Sequence, residues 1–260
     1  MLTDKIAFVS GAAAGIGRAT AVALAQAGAH VAVNDLRDDD RLASLVAEIQ
    51  SLGRRALPVV GDVSNQAVVE GLIERTATEL GGLDCVVTNA VYSDREPFYK
   101  ADMAGFHRTI DVTMWGAFYV LRAAAQRMIA QGRGGAVTVI SSPHATIPVP
   151  NAMAYNMAKA AIDHMARTAA IELIDFKIRV NVIHPGWVDT PGERKFASAA
   201  DIAHAGDLLP WGRMAKPEEI ARGVVFLSDP GSDYMTGGTM LMDGGNSLPW
   251  WARSGMAVKT

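Results

Sequence analysis

Tyr155 and Lys159 stand four residues apart on a strongly helical stretch, so their side chains share one face. A phenol titrates near pH 10, too high for a base at neutral pH. A nearby ammonium favours the phenolate and lowers that value. A shift of ~2–3 units takes roughly 3–4 kcal/mol of differential interaction. The pair is therefore suited to giving a proton to, or taking one from, an oxygen atom. Ser142 ends a β-branched apolar run thirteen residues before Tyr155, where a hydroxyl can hold that oxygen near the phenol. Ser141 is the neighbouring candidate. Successive strand residues point to opposite faces, so one of the two meets the cleft, and the spacing from Tyr155 selects Ser142.

The first apolar run ends in Ser10-Gly11-Ala12-Ala13-Ala14-Gly15-Ile16-Gly17, and a helical pattern follows. Glycines permit a tight turn and let a pyrophosphate approach the backbone. The free amides and dipole of the helix start then favour the anion. Between a strand and a helix, this spacing is a dinucleotide-binding fingerprint. The second strand, His30–Asp35, ends in an acid eighteen residues after Gly17. A carboxylate there accepts the hydroxyls of the adenosine ribose of NAD and repels the extra phosphate of NADP. Two like charges about 4 Å apart cost up to ~4 kcal/mol at an effective dielectric of ~20. Arg37, two residues on, offsets part of that repulsion, so the reading is NAD with NADP left open.

These residues need a frame. Short β-branched runs at Ile6–Ser10, Val31–Asp35, Ala56–Val60, Cys85–Asn89, Ala136–Ser141, Val180–His184 and Thr239–Met242 alternate with helical patterns. The helical stretches are Ile16–Ala27, Leu42–Leu52, Val68–Leu80, Phe106–Ala130, Tyr155–Ile174 and Pro217–Leu227. Such alternation predicts an α/β fold: one doubly wound, Rossmann-type parallel sheet of seven strands with helices on both faces. Strands that are apolar throughout fit a sheet covered on both sides. Residues 1–260 read as one dinucleotide-binding and catalytic domain, with 190–213 a mobile substrate flap and 246–260 a tail carrying Pro249-Trp250-Trp251.

The chain has 260 residues, half of them hydrophobic and a fifth charged, enough for a sizeable core. A net charge of −3 points away from nucleic acid. The opening Met1-Leu2-Thr3-Asp4-Lys5 leads into a run too short for a signal peptide, and no stretch reaches membrane-spanning length. The single cysteine, Cys85, suits a reducing compartment, so a cytoplasmic location is expected. His30, His107, His144, His164, His184 and His204 show no metal-ligand spacing, and no metal is expected.

The glycine turn, Asp62-Val63, Asn89-Ala90, Ser142, Tyr155 with Lys159, Pro185-Gly186 and Met242-Asp243-Gly244-Gly245 together resemble the short-chain dehydrogenase/reductase family. The resemblance covers nearly the whole chain in order and spacing. It implies that Tyr155 is the base in oxidation and the acid in reduction. Lys159 would bind the nicotinamide ribose and lower the Tyr155 pKa, and Ser142 would orient the substrate oxygen. Gly11, Gly15, Ile16 and Gly17 would cradle the pyrophosphate. Asp62 and Val63 would sit by the adenine, and Asn89 and Ala90 would line the cleft. Pro185, Gly186, Val188 and Thr190 would contact the nicotinamide half, Val188 through its backbone. Helical stretches 106–130 and 155–174 would pair with copies in other subunits, which implies a homo-oligomer, a tetramer.

Two positions depart from the family pattern. Asn89-Ala90-Val91 replaces the usual Asn-Ala-Gly, so a side chain at 91 is expected to crowd the cleft or redirect the loop. Asp111-Val112-Thr113 places threonine where the family has an asparagine that supports a water path from the lysine. Thr113 is expected to take over that fourth catalytic role with its hydroxyl.

The substrate is read from the loops. Ser141–Pro148, Thr190-Pro191 with Lys195-Phe196, and Asp243–Leu248 resemble bacterial glucose 1-dehydrogenases. His144 would then face a sugar hydroxyl, with Glu96, Arg95, Tyr92 and Trp187 as further candidates. The expectation is an NAD-dependent aldose or polyol dehydrogenase. The alternatives are a 3-oxoacyl thioester or other ketone reductase, and an NAD-binding sensor or scaffold in which Thr113 and Val91 have weakened catalysis.

Overall fold

The computed structural model describes residues 2–195, 204 and 206–250. Seven strands form one sheet: β1 (Ile6–Val9), β2 (His30–Asp35), β3 (Ala56–Val60), β4 (Cys85–Thr88), β5 (Gly135–Ile140), β6 (Ile178–Pro185) and β7 (Thr239–Met242). Every pairing is parallel, in the order β3-β2-β1-β4-β5-β6-β7. The connections run one way from β1 to β3 and the other way from β4 onward. The chain therefore parts between β1 and β4, and such a switch point opens a crevice at the carboxyl ends of the strands.

Side chains alternate across the sheet. Ile6 and Phe8 of β1 join one core with Val137 and Val139 of β5, while Ala7 and Val9 join the other. The first core is covered by α3 (Gln66–Leu80), α5 (Gly116–Gln131) and α6 (Met153–Glu172), the second by α1 (Gly15–Gln26), α2 (Asp40–Ser51) and α7 (Pro217–Ser228). This is the seven-stranded, doubly covered sheet the sequence predicts. β1 and β4 are buried along their whole length, whereas β7, at the edge, leaves Leu241 exposed.

Three helices start where a capping side chain stands. Asp39 accepts from Arg41 and Leu42 ahead of α2, and Asn65 accepts from Val68 ahead of α3. Asp102 does the same with Ala104 and Gly105 ahead of α4 (Met103–Ile110). One element departs from expectation. The single helix read over Phe106–Ala130 is α4 and α5 joined by a π turn over Asp111–Trp115. The wide turn brings buried Thr113 onto the main chain of Tyr92, a long-range contact that helical periodicity does not encode.

Phe196 and Trp251 lie outside the described residues, as do 196–203, 205 and 251–260 of the expected flap and tail. Among the described residues, no helix is long and apolar enough to cross a membrane.

Candidate active site

At the mouth of the crevice, the turn after β1 is built to leave main chain bare. Gly11 and Gly15 have φ of +63° and +54°, values that L side chains rarely adopt. A Cβ on Gly17 would lie 2.1 Å from the Gly11 carbonyl oxygen. Unlike α2, α3 and α4, α1 has no side-chain cap, and it has no acid in its first turn. Its leading amides are left for a ligand, next to Ile16 and beneath Thr190, whose Cγ2 would be 3.2 Å from a Cβ on Gly15. Asn89 braces the turn from β4, its amide donating to the carbonyls of Ser10 and Gly11 at 3.0 Å each. Ala90 packs against Gly11. Asp35, at the end of β2, accepts from the amides of Ala13 (3.0 Å) and Leu36 (2.8 Å). This cradle, with an acid at its side, fits a dinucleotide.

Further along the crevice the structure separates the two serines. Ser141 is buried, and its hydroxyl donates to the Lys159 carbonyl at 3.4 Å. Ser142 hydrogen-bonds the Tyr155 side chain and accepts from the His144 amide at 3.2 Å. Lys159 is buried, donates to the Ile140 carbonyl at 2.8 Å, and lies 5.3 Å from the centre of the Tyr155 ring.

The expected lowering of Tyr155 by Lys159 is absent. Burial pushes the phenol up to about 12, only partly opposed by the Ser142 hydrogen bond and by Arg95. Burial also pulls Lys159 down to about 8. The ammonium is bound to a carbonyl and lies over the ring, and desolvation outweighs the groups that lower the phenol.

His144 meets Tyr155 edge-on, with ring centres 5.2 Å apart. Its Nδ1 is 2.8 Å from Asn156 Oδ1, and the Asn156 amide nitrogen donates to the Val149 carbonyl at 2.8 Å. A carbonyl only accepts, so it fixes the Asn156 amide, and Asn156 in turn fixes the imidazole with its proton on Nδ1. Burial lowers the His144 pKa, and the neutral ring keeps Nε2 as an acceptor.

Opposite this group, Arg95 Nη2 lies 3.7 Å from Glu193 Oε1, and the Trp187 indole donates to Glu193 Oε2 at 3.0 Å. Trp187 also lines a cavity of about 290 Å³ with Trp211. Glu96 turns away, its carboxylate accepting from the Asp102 amide at 2.8 Å on the far side of the loop. Arg95, one residue earlier, is felt by both Tyr155 and His144, as is Glu193.

β6 ends in Pro185, and Gly186 packs so closely that a Cβ would lie 2.6 Å from Asp243 Cα. Val188 bridges to Ala215 through the Trp187 carbonyl and the Asp189 amide, so its own amide and carbonyl face the other way. A larger cavity, about 650 Å³, opens at the opposite ends of the strands and shares no residue with this site.

Comparison with known proteins agrees with this geometry. A family model described as Enoyl-(Acyl carrier protein) reductase matches residues 11–247. The chain is 34% identical over 246 residues to an L-rhamnose 1-dehydrogenase (NAD(P)(+)) of Sphingomonas sp. (strain SKA58), covering 94% of this chain and 97% of that one. A short-chain type dehydrogenase/reductase from Mycobacterium marinum superposes with a TM-score of 0.89 at 35% identity, over 95% of this chain and 97% of the other. The chain is a short-chain dehydrogenase/reductase. A further member, carveol dehydrogenase from Mycobacterium avium in complex with NAD, has a TM-score of 0.89 at 27% identity, over 95% of this chain and 99% of that one. The protein is thus an oxidoreductase of CH–OH groups, in a family that uses NAD(P).

One expectation about this short-chain dehydrogenase/reductase needs correction. Thr113 donates its proton to the Tyr92 carbonyl at 2.8 Å and accepts from the Tyr92 amide at 3.1 Å. With its only proton spent, it braces the loop after β4 and has none to pass on from Lys159. Val91 is 53% exposed on that loop. Asp62 is held below its usual range, since hydrogen bonds from Ser64 and the Arg108 guanidinium (2.8 Å) outweigh the upward push of burial. Val63 packs beneath Gly116, where a Cβ would lie 2.7 Å from its Cγ2. Asn156 and Glu193 were not legible beforehand. Asn156 gives a sequence signal only as the residue after Tyr155, and Glu193 needs the flap to fold back.

Proposed function

We propose that the protein is an NAD-dependent dehydrogenase of an aldose or polyol. The observation that carries this reading is the polar mouth beside Tyr155, where a fixed acceptor on His144 faces the Arg95–Glu193 pair. A polyhydroxylated substrate matches alternating acceptors and donors. The relative named as an L-rhamnose 1-dehydrogenase supports the same class, as do the loops resembling bacterial glucose 1-dehydrogenases. NAD is favoured over NADP by Asp35, which stands where an extra ribose phosphate would be repelled.

The cofactor would lie along Gly11, Gly15, Ile16 and Gly17, with Asp35, Asp62 and Val63 at its adenosine end. Asn89 and Ala90 would hold its middle, and Pro185, Gly186, Val188 and Thr190 the nicotinamide end. When bound, it accepts or donates the hydride. The chain's residues handle the proton. Ser142 holds the substrate oxygen, and Tyr155 removes its proton in oxidation or supplies one in reduction. Lys159 contributes positive charge beneath the phenol, and Trp187, held by Glu193, helps to keep water from the cleft. With Tyr155 pushed up by burial, oxidation rises with pH above neutrality. The active form would be a homotetramer with cytoplasmic localisation.

A panel of aldoses, polyols, secondary alcohols and an acetoacetyl thioester, each offered with NAD and with NADP, tests the reading. Oxidation of at least one sugar or polyol with a preference for NAD is expected, and Asp35→Ala narrows that preference at least tenfold. No turnover on any sugar, with reduction of the thioester, would assign a ketone reductase instead. Tight NAD binding without turnover on the whole panel would leave a sensor.

A further inference from the structure

Below the catalytic residues, α6 carries a third polar side chain on the same face. Tyr155, Lys159 and Asp163 are spaced four apart, and Lys159 and Asp163 are both buried. Asp163 Oδ2 lies 2.7 Å from Nε2 of His184, a buried residue of β6 directly before Pro185. The pair thus joins the catalytic helix to the strand that leads into the Pro185-Gly186 turn. Among the described residues, Asp163 Oδ1 is buried with no hydrogen-bond partner. A tether between α6 and β6 needs one acceptor, which an asparagine supplies. A carboxylate leaves an unpaired oxygen buried at a cost, and what it adds is charge.

We propose that Asp163, held by His184, is a positioning residue that sets a fixed negative charge one helical turn beyond Lys159 and keeps that amine an ammonium inside the protein. The inference rests on the reading of Tyr155 and Lys159 as the acid/base face.

Burial lowers Lys159, and Asp163 is the charge that opposes the loss. His144, after β5, feels Lys159, and Arg167 Nη2 is 3.8 Å from Asp163 Oδ2. Arg108 of α4 is bound to Asp62, and Arg122 and Arg127 of α5 pair with Glu70 and Glu74. Arg179 of β6 donates to the carbonyls of Met235 and Asp229. His107, Asp111 and Asp175 are exposed.

The test is a pH titration of the Lys159 side-chain nitrogen by NMR in lysine-labelled protein without cofactor, assigned with Lys159→Met. The wild-type midpoint is expected near 8, and Asp163→Asn should lower it by at least about one unit. Asp163→Glu, which keeps the charge, should restore the midpoint. If Asp163→Asn fails to fold, His184→Gln serves instead, with a smaller shift in the same direction. A variant that loses thermal stability but leaves the Lys159 midpoint unmoved would reduce the pair to a tether and overturn the proposal. The midpoint is read without turnover, so it stands apart from the role of Tyr155, which Tyr155→Phe kinetics decide.

Discussion

Burying an ammonium beside a phenol moves two titrations in opposite directions. Lys159 falls from its usual 10.5 to about 8 in the folded protein. Between those values the unfolded chain binds more protons than the native one, so stability rises with pH through that window. Below pH 8 both states hold the proton, and the full cost of burying the charge remains. Tyr155 works the other way, since its rise from 10 to about 12 makes stability fall as pH climbs through that range. Lys159→Met should therefore abolish a stability gain of about 2–3 kcal/mol between pH 8 and 10. Urea unfolding of both proteins across that range measures it, and equal slopes would contradict it. Ser142, Tyr155 and Lys159 were legible in the sequence because short spacings on one strand end and one helix face define them. His184 and Asp163 pair across 21 residues, and Arg95 with Glu193 across the cleft. Only the folded chain brings such partners together.

At the scale of elements, the π turn over Asp111–Trp115 supports the loop after β4. Thr113 satisfies both main-chain groups of Tyr92. Thr113→Val would leave both part-buried groups without that partner, at up to about 1 kcal/mol each. A loss of several degrees in Tm is expected, with a rise in KM larger than any fall in kcat, because the loop carrying Arg95 loosens. Thr113→Ser should recover most of both. Calorimetry and steady-state kinetics check this, and an unchanged KM in the valine variant would contradict it. The strands were readable because each is a short β-branched run bounded by turn residues. The break between α4 and α5 was not, because apolar residues keep helical spacing straight through it.

Across the whole molecule, the sheet order places the glycine turn, Asn89 and the Ser142–Tyr155 pair at one end of the strands, while the larger cavity opens at the other. The outer faces of the same helices remain apolar. Trp115, Phe118 and Ile129 are exposed beside α5, Met157 and Ile171 on α6, Phe226 on α7 and Leu241 on β7. Apolar surface on these elements would suit twofold interfaces with further copies of the chain, as in a dihedral tetramer. Sedimentation should give a four-subunit mass, and a monomer would contradict it. The seven-strand order was legible from strand–helix alternation, but which faces stay bare depends on how the helices pack. The central claim is that the Tyr155 hydroxyl transfers the proton while a nicotinamide held on the glycine turn exchanges the hydride. Its most direct test is Tyr155→Phe, followed by the absorbance of reduced nicotinamide during turnover and by the dissociation constant for NAD. The account predicts a loss of at least about a thousandfold in kcat, with NAD bound within a few-fold of wild type. Turnover by the phenylalanine variant at the wild-type rate would contradict it.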